Sequence, residues 1–172
     1  MATTTAQAAL PKAKPNLAPT LYDRFLALAS TALLAAILIA LWKGRGEWVH
    51  VPAFVWAHLV TIILAVALTP LMMLRRRGDR LHRRLGWIWS ASILLTAAFT
   101  FGIRGINSGA LSLIHILSAW TLLQVPMIVI FARRHDHAKH RNAVRGVVTG
   151  GLVIAGFFTF PFGRMLGQWL FG

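Results

Sequence analysis

The chain has 172 residues, of which 57% are hydrophobic, and it carries 18 lysines and arginines against only four acidic residues. That apolar fraction, with a mean hydropathy of +0.65, excludes an ordinary water-soluble domain. The net charge of +14 would point to nucleic acid in a soluble protein, but here it is gathered between apolar stretches and reads as a topology signal, so no nucleic-acid partner is expected. Cysteine is absent, which removes disulfides, thiolate clusters, a covalently attached c-type haem and a cysteine nucleophile.

Residues 1–21, rich in Ala, Thr and Pro, read as a disordered cytoplasmic tail. Residues 22–172 read as a single transmembrane helical domain. Five stretches in it, 25–42, 51–74, 85–103, 110–132 and 144–163, contain no Asp, Glu, Lys or Arg apart from Arg145 at the start of the last. Each is long enough to cross a bilayer core, which takes about 20 helical residues. The stretches lack the period-two alternation of an outer-membrane barrel. No small-residue cleavage site follows the first, so it is expected to stay as a signal anchor. The fold class predicted is an all-α integral membrane protein with five transmembrane helices, in which helices two to five form an up-down four-helix core and helix one packs outside it.

Basic residues then set the orientation. Lys12, Lys14 and Arg24 precede helix one, six arginines lie between Arg75 and Arg84, and Arg133, Arg134, Lys139, Arg141 and Arg145 separate helices four and five. Lys43, Arg45, Arg104 and Arg164 fall on the other side. The positive-inside rule places the N-terminus in the cytoplasm and the C-terminus outside, as in a multi-pass protein of a bacterial inner membrane. Trp42, Trp48 and Trp56 are expected as anchors at the outer interface, and Trp87 and Trp89 at the inner one.

Aligning His58 with His115 reveals two similar halves. Each has a His near the outer end of a helix, a Pro about three turns on (Pro70, Pro126), an Arg-Arg-x-Asp loop ending at Asp79 or Asp136, and a His-Arg pair (His82 with Arg83, His140 with Arg141) opening the next helix. Both halves start outside, which makes this a parallel two-helix repeat.

Candidate chemistry is narrow. No carboxylate lies inside any predicted span, which removes the commonest proton-relay and cation-binding groups, and no catalytic residue is assigned. Asp79 and Asp136 are expected to pair with neighbouring basic side chains and cap the helices that follow. Gln124, Thr69 and Thr96 are expected to hydrogen-bond between helices. Four histidines remain in two layers: His58 and His115 toward the outside, His82 and His140 at the cytoplasmic ends of helices three and five. In a square bundle with neighbours about 10 Å apart, each pair sits on a diagonal of roughly 14 Å. That gap admits a porphyrin edge-on with one imidazole on each face of the iron, so haem b is the cofactor this pattern points to. A "HDHAKH" cluster of His135, Asp136, His137 and His140 is a lesser candidate for a transition metal, and His50 reads as a solvated loop residue.

The layered histidines resemble the transmembrane di-haem cytochrome b proteins, in which alternate helices of a four-helix core supply ligand pairs. That resemblance implies axial ligation by His58 with His115 and by His82 with His140, although the inner pair sits among arginines at the edge of the apolar spans. Residues 58–163, through the outer histidine of helix two, "LHRRLGWIW" at 81–89 and "KHRNAVRG" at 139–146, also resemble a bacterial family of small polytopic inner-membrane proteins known only as a domain of unknown function. This second resemblance implies an integral membrane protein and no activity. The expectation is a b-type haem-binding membrane electron carrier. The alternative is a cofactor-free membrane subunit or assembly factor whose basic loops meet anionic lipid or a membrane protein partner. A small transporter with histidine proton carriers is a third reading, disfavoured by the missing carboxylates.

Overall fold

The computed structural model describes residues 18–103 and 113–172. Among them every regular element is helical. Helix α1 (Leu21–Lys43) opens on a capping box: the Asp23 amide donates to Thr20 Oγ1 at 3.4 Å and the Thr20 amide donates back to the Asp23 carboxylate at 2.9 Å. It tightens into a 3-10 segment at Gly44–His50. Helix α2 (Ala53–Leu74) starts after Pro52 and runs through Pro70. Helix α3 spans Arg80–Thr100, and α4 spans Leu113–Arg133 through Pro126.

The last expected span differs in form. Where one apolar helix is predicted over 144–163, the chain forms α5 (His137–Gly146), a π-helical stretch at Val147–Ile154 and the single turn α6 (Ala155–Phe157). It then turns through Phe162 and Gly163, both at positive φ, into the short α7 (Met165–Phe171). The stretch "VVTGGLVI" explains the change: two adjacent glycines and β-branched neighbours weaken regular α-helical bonding there. Among the described residues, three helices are long and apolar enough to cross a membrane on their own: Leu21–His50, Ala53–Leu74 and Leu113–Arg133.

The two basic loops share one geometry. Gly78 and His135 both take left-handed φ values, 89° and 56°, directly before the N-caps Asp79 and Asp136. Each aspartate accepts a backbone N–H three residues on, from His82 at 2.6 Å and from Lys139 at 3.1 Å. Asp79 also takes Arg75 at 2.7 Å and Asp136 takes Lys139 Nζ at 3.3 Å, as the loop reading expects.

In packing, the helices form a closed ring: α1 against α2, α2 against α3, α3 against α4, α4 against α5 and the π stretch, and the π stretch back against α1. The four-helix core with helix one outside is therefore replaced by a ring in which α1 is a full wall. Its Leu26, Ala27, Leu33, Ile37, Ala40 and Leu41 are buried in the same apolar cluster as Val66, Ile93, Val125, Val148 and Leu152. Small residues permit this: a Cβ on Gly156 would press into Leu33 of α1 at 2.5 Å. The tryptophans divide. Trp42 is exposed, Trp48 meets Trp56 edge to face at 5.3 Å, and exposed Trp87 lies beneath the Arg133 guanidinium. Trp89, expected at the interface, is instead in the core, its indole N–H donating to Thr69 Oγ1 at 3.0 Å.

Candidate functional site

The helix ring lines a partly open cavity of about 300 Å³. All five long stretches contribute walls, including Leu33 and Ile37 from α1, Val66 from α2, Ile93 from α3, Thr121 from α4 and Gly151 from the π stretch. Most of the lining is aliphatic. The polar groups sit mainly toward one end, where His58, Thr100, Thr159 and Arg164 line the cavity. A Cβ on Gly151 would reach only ordinary contact with Thr121 Oγ1 at 3.7 Å, so the glycine keeps this wall thin without being sterically forced.

His58 is held by a hydroxyl ladder between α2 and α3. Thr96 donates to Thr61 Oγ1 at 2.8 Å, and Thr61 donates to the Ala57 carbonyl at 2.9 Å. The His58 Nδ1–H is shared between the Thr96 carbonyl at 3.1 Å and Thr100 Oγ1 at 3.2 Å. These two acceptors fix the tautomer and leave Nε2 with its lone pair for the cavity. Thr69 and Thr96 thus bond between helices as expected, in the membrane interior where an unsatisfied hydroxyl is costly.

The outer histidines are not brought to one cavity. His115 is 3% exposed, its ring 5.6 Å from that of Phe101, and the α4 residues that do line the cavity are Ile114, Leu117, Ser118 and Thr121. In the ring, α2 and α4 are separated by α3 on one side and by α1 with the π stretch on the other, so the square-bundle diagonal does not describe them.

The inner histidines do meet. The His82 and His140 rings are 6.5 Å apart and nearly perpendicular, at 74°. His140 donates Nδ1–H to the Ile128 carbonyl at 3.0 Å, while His82 Nδ1 is buried without a hydrogen-bond partner among the described residues. Burial pushes the His82 imidazole below its ordinary pKa, and the nearby His140 adds to the effect. Loop residues His135 and His137 approach each other at 6.4 Å, but among the described residues no group of three or more His, Asp or Glu side chains is arranged to hold a metal ion. His50 is exposed beside Glu47.

The most heavily bonded polar group was not a sequence candidate. Asp23 is fully buried at the basic end of the ring, where it accepts from Arg77 at 2.6 Å and from Arg145 at 2.9 Å. Arg145 also donates to Thr20 at 2.5 Å. One carboxylate therefore ties the start of α1 to both basic loop regions. Its signal in the sequence is the Thr-x-x-Asp capping spacing, and it is one of only four acids in the chain. Arg164 was likewise missed: it is a lone cation in the aromatic turn "FPFGRML" at 160–166, and only the fold brings it to the cavity. No protein-family model, curated protein or solved structure matches the chain.

Proposed function

We propose that the chain is a five-span bacterial inner-membrane protein, N-terminus inside and C-terminus outside, that holds a small and mainly apolar molecule within its helix ring. The cavity carries this reading. An aliphatic chamber with a few convergent polar groups is the usual form of a small-molecule site, and His58, oriented by Thr96 and Thr100, supplies a directed acceptor in it. The shared end of the basic loops, knotted at Asp23, would face the cytoplasm and anionic lipid. Native mass spectrometry of protein released from lipid nanodiscs tests the cavity. The expected result is a non-covalent adduct that disappears in Gly151→Leu, whose side chain would fill the space beside Thr121. An adduct retained by a folded Gly151→Leu protein would refute the reading.

Electron transfer through b-type haem is a second reading. It is favoured by one observation: His58 and His140 each donate Nδ1–H to a main-chain carbonyl, the arrangement that orients a metal-binding imidazole. The space at His58 does not suit the group, because among the described residues that line the cavity there is no second imidazole to complete an axial pair. The haem reading therefore rests on His82 with His140, whose rings already meet. Low-spin bands in a dithionite-reduced minus oxidised spectrum, lost in His82→Ala and His140→Ala, would support it. A flat spectrum from folded protein of haem-supplemented cells would remove it. A cofactor-free subunit or assembly factor is the reading left if both the spectrum and the adduct are blank.

A further inference from the structure

The cavity reading leaves one charge unexplained. Arg164 stands between α6 and α7, partly buried, and lines the same end of the cavity as His58, Thr100 and Thr159. Among the described residues its side chain forms no ion pair and no hydrogen bond, whereas Arg75, Arg77, Arg145 and Lys139 each take an aspartate. A guanidinium stays charged at any accessible pH. The side chain is only partly buried, but among the described residues it is the one permanently charged group that lines the chamber. None of the acids in the described structure serves it: Asp23, Asp79 and Asp136 are occupied at the opposite end, and Glu47 is exposed beside His50.

We propose that the missing counter-charge belongs to the ligand, and that the cavity takes a single-chain carboxylate, its head on Arg164 and its tail among Leu33, Ile62, Val66 and Ile93. The inference rests on the cavity reading and narrows it. A carboxylate matches the two-pronged donor face of a guanidinium. His58 Nε2 is an acceptor and cannot serve a carboxylate, so the further donors at that end are the Thr100 and Thr159 hydroxyls, which would turn from the Thr96 and Gly156 carbonyls they now bond. The volume, about 300 Å³, is at the small end of small-molecule pockets and favours a single chain over a two-tailed lipid.

The probes are decanoate, decanol and decyl phosphate, titrated at pH 8 into the full chain in zwitterionic nanodiscs, with bound probe counted by native mass spectrometry. Decanoate is expected to bind, and Arg164→Gln to weaken it by roughly tenfold or more while leaving decanol unchanged, because the loss is one charge-assisted contact. Gly151→Leu is expected to abolish both. Equal binding of decanoate and decanol, both indifferent to Arg164→Gln but lost in Gly151→Leu, would overturn the carboxylate head and leave the cavity reading standing. Binding of decyl phosphate about tenfold above decanoate would overturn it in favour of a phosphate head. Binding of decanoate and decanol that survives Gly151→Leu in folded protein would defeat the cavity reading itself.

Discussion

Replacing Asp23 with Ala tests the knot that joins α1 to the two basic regions. The carboxylate is 0% exposed, and its partners Arg77 and Arg145 are 14% and 19% exposed, so all three charges are largely desolvated. Removing one member of such a group strands the others: breaking a buried ion pair from one side costs about 3–5 kcal/mol. Both arginines retain some exposure at the rim and can turn toward water, which places the expected loss near the lower bound, about 3 kcal/mol. For a chain of this size, 1 kcal/mol corresponds to roughly 2–4 °C, so the midpoint should fall by roughly 6–12 °C. Thermal unfolding in mild detergent at pH 7, followed by circular dichroism at a fixed scan rate, measures it. The triple variant Asp23→Leu, Arg77→Met, Arg145→Met should recover much of the loss, because apolar replacement removes the desolvation cost along with the attraction. A midpoint for Asp23→Ala within roughly 2 °C of the parent would refute the argument that this carboxylate holds the ring closed.

Thr69→Val should cost about 1–3 kcal/mol, since it leaves the Trp89 indole N–H without its acceptor in the core; adding Trp89→Phe should restore part of it, and a double-mutant cycle reads the coupling. Gly167→Ala should destabilise by about 2 kcal/mol or more, because the new Cβ would collide with the Phe160 carbonyl, whereas Gly150→Ala, which meets nothing within 4 Å, should be tolerated; parallel melts compare them. Acid should weaken the inner end of the ring through His82. Its folded pKa lies below the ordinary 6.5, so the unfolded chain takes up the proton first and stability falls as pH drops from about 6.5 toward the lowered value. His140, Arg75 and Arg77 oppose the charged form and Asp79 favours it. Melts between pH 7.5 and 5 should therefore show a shallower decline for His82→Gln than for the parent; parallel curves would contradict the assignment.

Much of the helical plan was legible because the bilayer imposes it. Runs without charge had to be helices if they were to satisfy their own backbone, and the positions of α2, α3 and α4 follow those runs closely. The loops were legible for a different reason. Asp79 and Asp136 sit directly before helix starts, where their local chemistry as caps does not depend on distant contacts. The fifth stretch was not, because hydropathy averages over the glycine pair that turns it into a π helix and leaves its end at Phe157. Trp89 was misplaced for a similar reason: its nearness to an arginine run suggested an interface, and only the partner across α2, Thr69, shows why its N–H is buried.

The placement of α1 has the widest consequence, and sequence alone had no means of reaching it. Counting repeats assigns the core to the two matched helix pairs and treats the unmatched helix as peripheral. Two pairs alone would pack as a square, with imidazoles facing each other across diagonals. Inserting α1 between α2 and the π stretch opens the square into a five-sided ring. His58 then faces a chamber walled partly by Leu33 and Ile37, while His115 packs against Phe101 instead. The residue that secures the insertion is Asp23, held by Arg77 after α2 and by Arg145 in α5. An acid at the start of α1 thus determines which of the histidines lines the chamber, and the two basic regions supply the clasp that ties α1 into its wall.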